Sequence, residues 1–164
     1  MNFRIGFGID VHRFSEDRKL MLGGVEIPSH KGLLGHSDAD VIIHAICDAL
    51  LGAAGLRDIG FHFPDTDPAF KDADSTKLLA RVADLMHQKG WITGNIDCTI
   101  ALQSPKISSF VPEMRKVLAA ILGVEPENIS VKATTTEGLG YEGREEGATA
   151  YAVALIYREP VSGK

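Results

Sequence analysis

Three residues of the types that bind transition metals, Asp10, His12 and His44, stand in two apolar segments of the chain. Asp10 and His12 are two residues apart in a run that alternates like a β-strand, so their side chains point to the same side. His44 lies among aliphatic residues with helical spacing, where an imidazole needs a polar partner. One carboxylate and two neutral imidazoles suit zinc, and three protein ligands leave a fourth position open. The pattern therefore predicts a zinc site of the catalytic type.

The same residues also have a purely structural interpretation. Asp40 and Asp48 lie four residues before and after His44, on the same face of the predicted helix. Either carboxylate could hold the second ring nitrogen of a metal-binding His44, or could simply satisfy a histidine in the core. Asp10 and His12 could form a surface ion pair, although the glycines on their side of the strand fit a site better than a surface.

Two later loops carry groups that could bind a phosphorylated ligand. Residues 56–68 are rich in Gly, Pro and Asp, which favours a ligand-facing loop and a run of Asx turns about equally. His62 in this loop is a further candidate metal ligand, ranked below Asp10, His12 and His44. Lys106 and the pair Thr134 and Thr135 follow two neighbouring strands, where ligands of α/β sheets often bind. They could hold a phosphate or a base edge, and Glu137 could bind Mg²⁺. Alternatively, each threonine could cap the end of its strand, and the lysine and the glutamate could be ordinary surface groups.

The segments that position these residues predict an α+β fold. Strands are expected at residues 3–14, 91–102, 129–133 and 149–157, with a small hairpin at 20–27 and a loop at 28–35. Helices are expected at 38–54, 74–90 and 108–122, the first capped by Ser37 or Asp38. The strand–helix–strand spacing from 91 to 133 implies a parallel pair. The result is a four-stranded mixed sheet with helices on one face.

Composition limits the classes of function. The 164 residues suffice for one catalytic domain, 1–164, and the net charge of −5 speaks against a nucleic-acid partner. No apolar run is long enough for a membrane span, and no signal peptide is apparent. Cys47 and Cys98 lie in apolar runs and are expected to be buried thiols in a reducing compartment. A cytoplasmic location is the expectation.

Five motifs, in this order, closely resemble the 2-C-methyl-D-erythritol 2,4-cyclodiphosphate synthase family of the non-mevalonate isoprenoid pathway, over residues 4–156. They are Asp10-Val11-His12-Arg13-Phe14, Gly35-His36-Ser37-Asp38-Ala39-Asp40, Asp58-Ile59-Gly60, Phe63-Pro64-Asp65-Thr66-Asp67-Pro68 and Lys132-Ala133-Thr134-Thr135-Thr136-Glu137. Any one of them would be a weak signal, whereas the ordered set is specific. The resemblance implies a bacterial-type homotrimer with its sheets facing the threefold axis and active sites between neighbouring subunits.

The resemblance also implies the reaction. The 2-phosphate of 4-diphosphocytidyl-2-C-methyl-D-erythritol 2-phosphate attacks the phosphorus distal to cytidine, CMP leaves, and a cyclic diphosphate closes. Asp10, His12 and His44 would hold one zinc ion per subunit, and Glu137 would hold magnesium or manganese. His36 and Thr135 would be the catalytic residues that stabilise the transition state.

The resemblance assigns substrate binding to two groups of residues and to a region near the axis. The methylerythritol phosphate would lie on 36–37, 58–60 and 63–67, cytosine on 102–108 and 133–134, and an isoprenoid diphosphate in the axial cavity, near Tyr141 and Arg144. Tyr141 stands where phenylalanine is common in the family. The implied substrate-binding residues are Asp10, Val11, His12, His36, Ser37, Asp58, Ile59, Gly60, Phe63, Pro64, Asp65, Thr66, Asp67, Leu102, Gln103, Ser104, Pro105, Lys106, Ile107, Ser108, Ala133, Thr134, Thr135, Thr136, Glu137, Tyr141 and Arg144.

Two alternative functions remain compatible with the sequence. The chain could be a trimeric, metal-dependent module that binds nucleotides or isoprenoid diphosphates without turnover. It could also be a zinc-dependent phosphohydrolase, which would consume water and release inorganic phosphate. The mass of the product distinguishes both from cyclisation.

Overall fold

The computed structural model of the chain describes residues 2–64, 66–67 and 72–159. Seven strands and five helices, with a 3-10 turn at Pro126–Asn128, form the fold that these residues adopt. In chain order they are β1 (Phe3–Ser15), β2 (Leu20–Leu22), β3 (Val25–Ile27), β4 (Gly32–Leu34), α1 (Val41–Ala54), α2 (Ile59–His62), α3 (Ser75–Gln88), β5 (Ile92–Ala101), α4 (Val111–Leu122), β6 (Ile129–Thr134), α5 (Gly140–Gly143) and β7 (Gly147–Tyr157). None of the helices in the described ranges has the length and apolar character needed to cross a membrane.

The main sheet has five strands in the order β4-β1-β7-β5-β6, so the prediction of four was wrong. The missed strand is β4, which pairs antiparallel with the end of β1, Arg13 opposite Leu34 and Ser15 opposite Gly32. A strand of three residues is too short to show alternation and forms only because β1 offers it an edge. The predicted parallel pair is confirmed in β5 and β6, and β2 and β3 form the predicted hairpin.

Two glycines let β1 lie directly on α1. A Cβ atom at Gly6 would stand 1.9 Å from the carbonyl oxygen of Ala49, and one at Gly8 would stand 2.0 Å from that of Ala45. The large apolar side chains of β1 therefore point to the other face of the sheet, where Ile5 is 64% exposed and its neighbours on that face are similarly open. Among the described residues, the helices α1, α3 and α4 pack against the sheet on the glycine face, and the outward side chains of β1 and β7 on the opposite face stay exposed.

Asp40 caps α1, in place of the predicted Ser37 or Asp38. Its carboxylate accepts a hydrogen bond from the backbone N–H of Ile43 at 3.1 Å. The same carboxylate accepts from the N–H groups of Gly23 at 2.9 Å and Gly24 at 2.7 Å, in the turn between β2 and β3. Asp40 is fully buried, so its carboxylate ties the small hairpin to the first turn of α1.

Candidate functional site

Asp10 and His12 of β1 and His44 of α1 converge on one point. Oδ2 of Asp10 lies 2.9 Å from Nε2 of His12 and 3.1 Å from Nδ1 of His44, and these two nitrogens are 3.1 Å apart. Ligand atoms around tetrahedral zinc are about 3.3 Å apart, given metal–ligand distances of about 2.0–2.1 Å. The three atoms therefore have nearly the spacing that a metal ion requires. Among the described residues, this is the one group of three or more potential ligands so arranged.

The close approach of β1 to α1 brings these side chains together. A Cβ at Gly8 would overlap the backbone of α1 at Ala45 and would stand 3.0 Å from Cβ of Asp48. Without that Cβ, the strand runs against the helix surface, and His44 reaches Asp10 two residues further along β1. The glycines that the sequence places beside the ligand pair are thus part of how the site is built.

The neighbours of His12 and Asp10 favour cation binding. Nδ1 of His12 lies 3.0 Å from the carbonyl oxygen of Leu34 in β4. Because a carbonyl only accepts hydrogen bonds, Nδ1 carries the proton and Nε2 faces the cluster. Burial alone would raise the pKa of Asp10, but the adjacent His12 and His44 rings hold that pKa below its ordinary value. The carboxylate is therefore ionised at neutral pH.

The second ring nitrogen of His44 faces hydroxyl groups, so the prediction that Asp40 or Asp48 would hold it was wrong. Nε2 of His44 lies 3.0 Å from Oγ of Ser75 and 3.2 Å from Oγ of Ser37. Asp40 is occupied by the hairpin, and Asp48 accepts a hydrogen bond from the backbone N–H of Ile59 at 2.7 Å. No local sequence pattern connects Ser75 with His44, which lies 31 residues earlier in the chain.

A cavity of about 280 Å³ opens beside the cluster. Besides the three ligands, it is lined by Gly35, His36, Ser37, Ile59, Gly60, Phe63 and Leu78. The structure thus gathers five of the residues implied to bind the methylerythritol phosphate, and adds Leu78, which lies outside all five motifs. Nε2 of His36 is buried and has no hydrogen-bond partner in the described part of the chain, which leaves it free to bind a ligand.

The segment that follows α1 supports one wall of this cavity. Asp58 caps α2 by accepting from the N–H of Phe61 at 2.9 Å. Beyond Phe63, the N–H of Asp67 donates to the carbonyl of Pro64 at 2.9 Å. Thr66 is described, whereas Asp65, also implied to bind substrate, lies outside the described residues. His62 points to the carbonyl of Leu56 at 2.8 Å and is not part of the metal-type cluster.

A second cavity, of about 260 Å³, lies where β5 and β6 end. It is lined by Leu102, Gln103, Pro105, Lys106, Ile107, Ser108, Ala133, Thr134 and Thr135. The N–H of Leu102 donates to the carbonyl of Thr134 at 2.9 Å and ties the two loops together. Oε1 of Gln103 is buried with no partner among the described residues. Ser104 lies in the same loop, joined to Pro105 by a cis peptide bond.

Glu137 is exposed just beyond this pocket. Its Oε1 accepts a hydrogen bond from Oγ1 of Thr135 at 3.0 Å, and its backbone has a φ of 54°. Thr136 anchors the same turn by donating from its hydroxyl to the carbonyl of Leu139. The exposed carboxylate is thus held next to the hydroxyl of Thr135.

The two cavities lie at the same end of the sheet but on different strands. The sheet register places Asp10 opposite Ala150, Ala150 opposite Ile100 and Ile100 beside Ala133. Three strand spacings, about 14 Å, therefore separate β1 from β6 along this row. Within the described residues of one chain, the metal-type cluster and the loop pocket line two separate cavities, which we call the two half-sites below.

Three further implied residues lie outside both half-sites. Val11 is on the outer face of the sheet, 47% exposed. The hydroxyl of Tyr141 contacts Oγ1 of Thr149 at 2.5 Å, and Arg144 forms an ion pair with Glu146 at 2.9 Å. Val11 and Tyr141 line a separate open cavity of about 680 Å³.

Comparisons with known proteins agree with this architecture. The model of the YgbB family matches residues 3–157. 2-C-Methyl-D-erythritol 2,4-cyclodiphosphate synthase from Porphyromonas gingivalis is 62% identical over 154 residues, 94% of this chain and 95% of that protein. The IspF–CDP complex from Plasmodium falciparum aligns with a TM-score of 0.84 and 34% identity, over 97% of this chain and 98% of that one. The bifunctional IspDF from Campylobacter jejuni aligns with a TM-score of 0.92 and 44% identity, over 96% of this chain but 42% of that longer one. On these matches, the chain belongs to the YgbB family, whose relatives here are 2-C-methyl-D-erythritol 2,4-cyclodiphosphate synthases.

Proposed function

We propose that the chain is a CMP-releasing phosphorus–oxygen lyase. It converts 4-diphosphocytidyl-2-C-methyl-D-erythritol 2-phosphate to 2-C-methyl-D-erythritol 2,4-cyclodiphosphate. The observation that carries this proposal is the converging Asp10, His12 and His44 cluster in a chain 62% identical to a synthase of that name. An oxygen of the 2-phosphate forms a bond to the distal phosphorus, and the bond from that phosphorus to the oxygen of CMP breaks.

The protein has to position two phosphates and neutralise their charge. The attacking phosphate is already anionic at neutral pH, so no strong general base is needed. Asp10, His12 and His44 would hold zinc, and Glu137 would hold Mg²⁺ or Mn²⁺. When bound, these cations supply positive charge to the phosphate oxygens. His36, through its unpaired Nε2, would donate a hydrogen bond to the developing charge. The hydroxyl of Thr135 donates to Glu137 in this structure and would turn to the developing charge once that carboxylate binds its cation.

The two half-sites divide the substrate between them. The cavity beside the cluster would take the methylerythritol phosphate, with Asp58 and Gly60 near its hydroxyl groups and the 63–67 segment at its margin. The loop pocket would take cytosine, a neutral base to which the unpartnered Oε1 of Gln103 offers a hydrogen-bond acceptor. Lys106 would lie near the diphosphate. A CDP complex of a 34% identical relative supports a cytidine nucleotide as the ligand class.

A homotrimer would join the half-sites of neighbouring chains. Since β1 and β6 lie towards opposite sides of the sheet, a head-to-tail contact repeated around a threefold axis could set one cluster against the next loop pocket. The exposed apolar face of β1 and β7, with Phe7 62% and Val153 42% exposed, supplies the kind of surface that obligate interfaces bury. We place the sheets towards the axis, with an isoprenoid diphosphate as the ligand near Tyr141 and Arg144.

A reducing, cytoplasmic setting suits this chemistry. Cys47 and Cys98 are both buried and free, as predicted from the sequence. Burial raises the pKa of the Cys98 thiol to about 12, so the thiol stays protonated and inert at neutral pH.

The function is tested by measuring metal content and product mass on the purified protein with the cytidyl substrate. We expect one zinc ion per chain, and we expect CMP and the cyclic diphosphate to appear together. Inorganic phosphate formed with uptake of water would identify a phosphohydrolase instead. Tight binding of substrate without CMP release would identify a non-catalytic binding module.

Glu137→Gln is expected to raise the Mg²⁺ concentration needed for half-maximal turnover by at least about tenfold, because a neutral amide is a poor ligand for a hard cation. Zinc content should not change, since Glu137 lies beyond the loop pocket and away from the cluster. Titration of activity with Mg²⁺ measures the effect. Glu127→Gln is the matched control, an exposed residue just before β6, at the opposite end of that strand. An equal Mg²⁺ requirement in both variants would contradict the assignment.

A further inference from the structure

We propose that Ser75 and Asp38 are positioning residues of the metal site. Together they fix which nitrogen of His44 carries the proton and which faces the metal. The inference rests on the proposed metal-binding role of His44. It concerns residues to which neither the motifs nor the comparisons assign such a role, and it follows from the direction of hydrogen bonds on the far side of the ring.

Asp38 determines which atom donates the proton in the hydrogen bond between Ser75 and His44. Its Oδ1 accepts the hydroxyl proton of Ser75, and its Oδ2 accepts the backbone N–H of the same residue at 3.1 Å. A carboxylate has no proton to return, so the proton of the Ser75 hydroxyl is committed. Towards Nε2 of His44, 3.0 Å away, Oγ of Ser75 can then only accept. Nε2 must therefore carry the N–H.

This proton leaves the other side of the ring free for a cation. A neutral imidazole has one N–H, so Nδ1 of His44 presents its lone pair to the cluster. Nε2 of His12 does the same, because its Nδ1 donates to Leu34. Two lone pairs and a carboxylate oxygen of Asp10 thus meet within 2.9–3.1 Å, an arrangement that a metal ion stabilises.

Of the two hydroxyl groups near Nε2 of His44, that of Ser75 determines the position of the ring proton. Ser75 is fully buried in the first turn of α3, so water cannot replace its oxygen. Ser37 also lies near Nε2, at 3.2 Å, and accepts a hydrogen bond from the N–H of Ala39 at 3.1 Å. No carboxylate among the described residues takes its proton, so Ser37 could either donate or accept. Among the described neighbours of Nε2, only the Asp38–Ser75 pair fixes the direction of the hydrogen bond.

The hydrogen bonds from Asp38 through Ser75 to His44 form a relay. The Asp38→Asn substitution tests this relay with almost no change in side-chain volume. The asparagine amide can donate to Oγ of Ser75, which releases the hydroxyl proton towards Nε2 of His44 and favours a proton on Nδ1, where it blocks the metal. We expect zinc affinity, measured by competition with a chromophoric chelator, to fall about 10–100-fold. Ser75→Ala, which removes the acceptor, should cause a loss of the same order.

Asp74→Asn is the matched control. Asp74 caps the same helix, accepts from the N–H of Thr76 at 2.9 Å and is exposed. The variant loses the same charge at the same helix terminus, but no hydrogen-bonded path through the described residues joins position 74 to His44. Its zinc affinity should stay within about twofold of the parent chain, given that asparagine caps helices as well as aspartate.

The outcomes separate the relay from the metal site itself. If the parent chain binds zinc and Asp38→Asn binds it equally well, the relay is wrong while the metal site stands. If the parent chain binds no zinc, both fail. Should Asp38→Asn not fold, ¹⁵N NMR of the zinc-loaded parent decides: a proton on Nε2 of His44 that exchanges slowly with water supports the relay, and a rapidly exchanging one overturns it.

Discussion

His44→Ala is expected to abolish stoichiometric zinc binding and to lower turnover by about a thousandfold or more, roughly 4 kcal/mol of transition-state stabilisation. The substitution removes one of three converging ligand atoms and leaves Asp10 and His12 to face a cavity. Two ligands 2.9 Å apart do not hold a metal ion in a fixed position. The charge that should meet the phosphate oxygens is then lost.

The chain should remain folded in this variant. The side chain of His44 is 12% exposed and lies in the first turn of α1. The part of that helix that packs in the core is formed by Ile42, Ile46 and Leu50, which are fully buried. Metal analysis, turnover and thermal unfolding are measured on the same preparation. His87→Ala is the control, an exposed histidine in the last turn of α3. Equimolar zinc with normal turnover in His44→Ala would show that His44 is not a ligand.

The sequence predicts the three ligands because each follows a local rule. The i, i+2 spacing of Asp10 and His12 fixes their common side of β1, and the apolar pattern around His44 fixes its helix. The partner of His44 could not be found in this way. Helical spacing identified Asp40 and Asp48 as neighbours on one face, but the ring turns to Ser75, 31 residues along the chain on another helix.

Local sequence patterns do not predict the arrangement of the sheet, for a similar reason. Alternation in β1 predicts two faces but does not say which one meets the helices. The answer depends on whether α1 approaches close enough to exclude a Cβ at Gly6, which is a property of the packed pair. Strand order likewise sets β7 and β5 between β1 and β6, and so divides the site residues between two cavities. The motifs identify residues of both half-sites but do not show that the two groups line separate cavities.

Gly8→Ala is expected to destabilise the chain by about 3 kcal/mol or more, or to prevent folding. The added Cβ would stand 2.0 Å from the carbonyl oxygen of Ala45 and 2.6 Å from the backbone nitrogen of Ala49. Both atoms belong to the backbone of α1, so no flexible side chain can move aside. Relief requires β1 and α1 to separate, which also draws His44 away from Asp10. Zinc affinity should therefore fall together with stability.

Gly52→Ala makes the same chemical change in α1 with the opposite expected sign. No described heavy atom lies within 4 Å of the Cβ that it would add, and the position is exposed. Replacing a helical glycine by alanine there should stabilise the fold by up to about 1 kcal/mol, because alanine loses less backbone entropy on folding. Urea unfolding followed by circular dichroism compares the two variants. If Gly8→Ala unfolds at the same urea concentration as Gly52→Ala, then the close contact of β1 with α1 is not what fixes the ligand geometry.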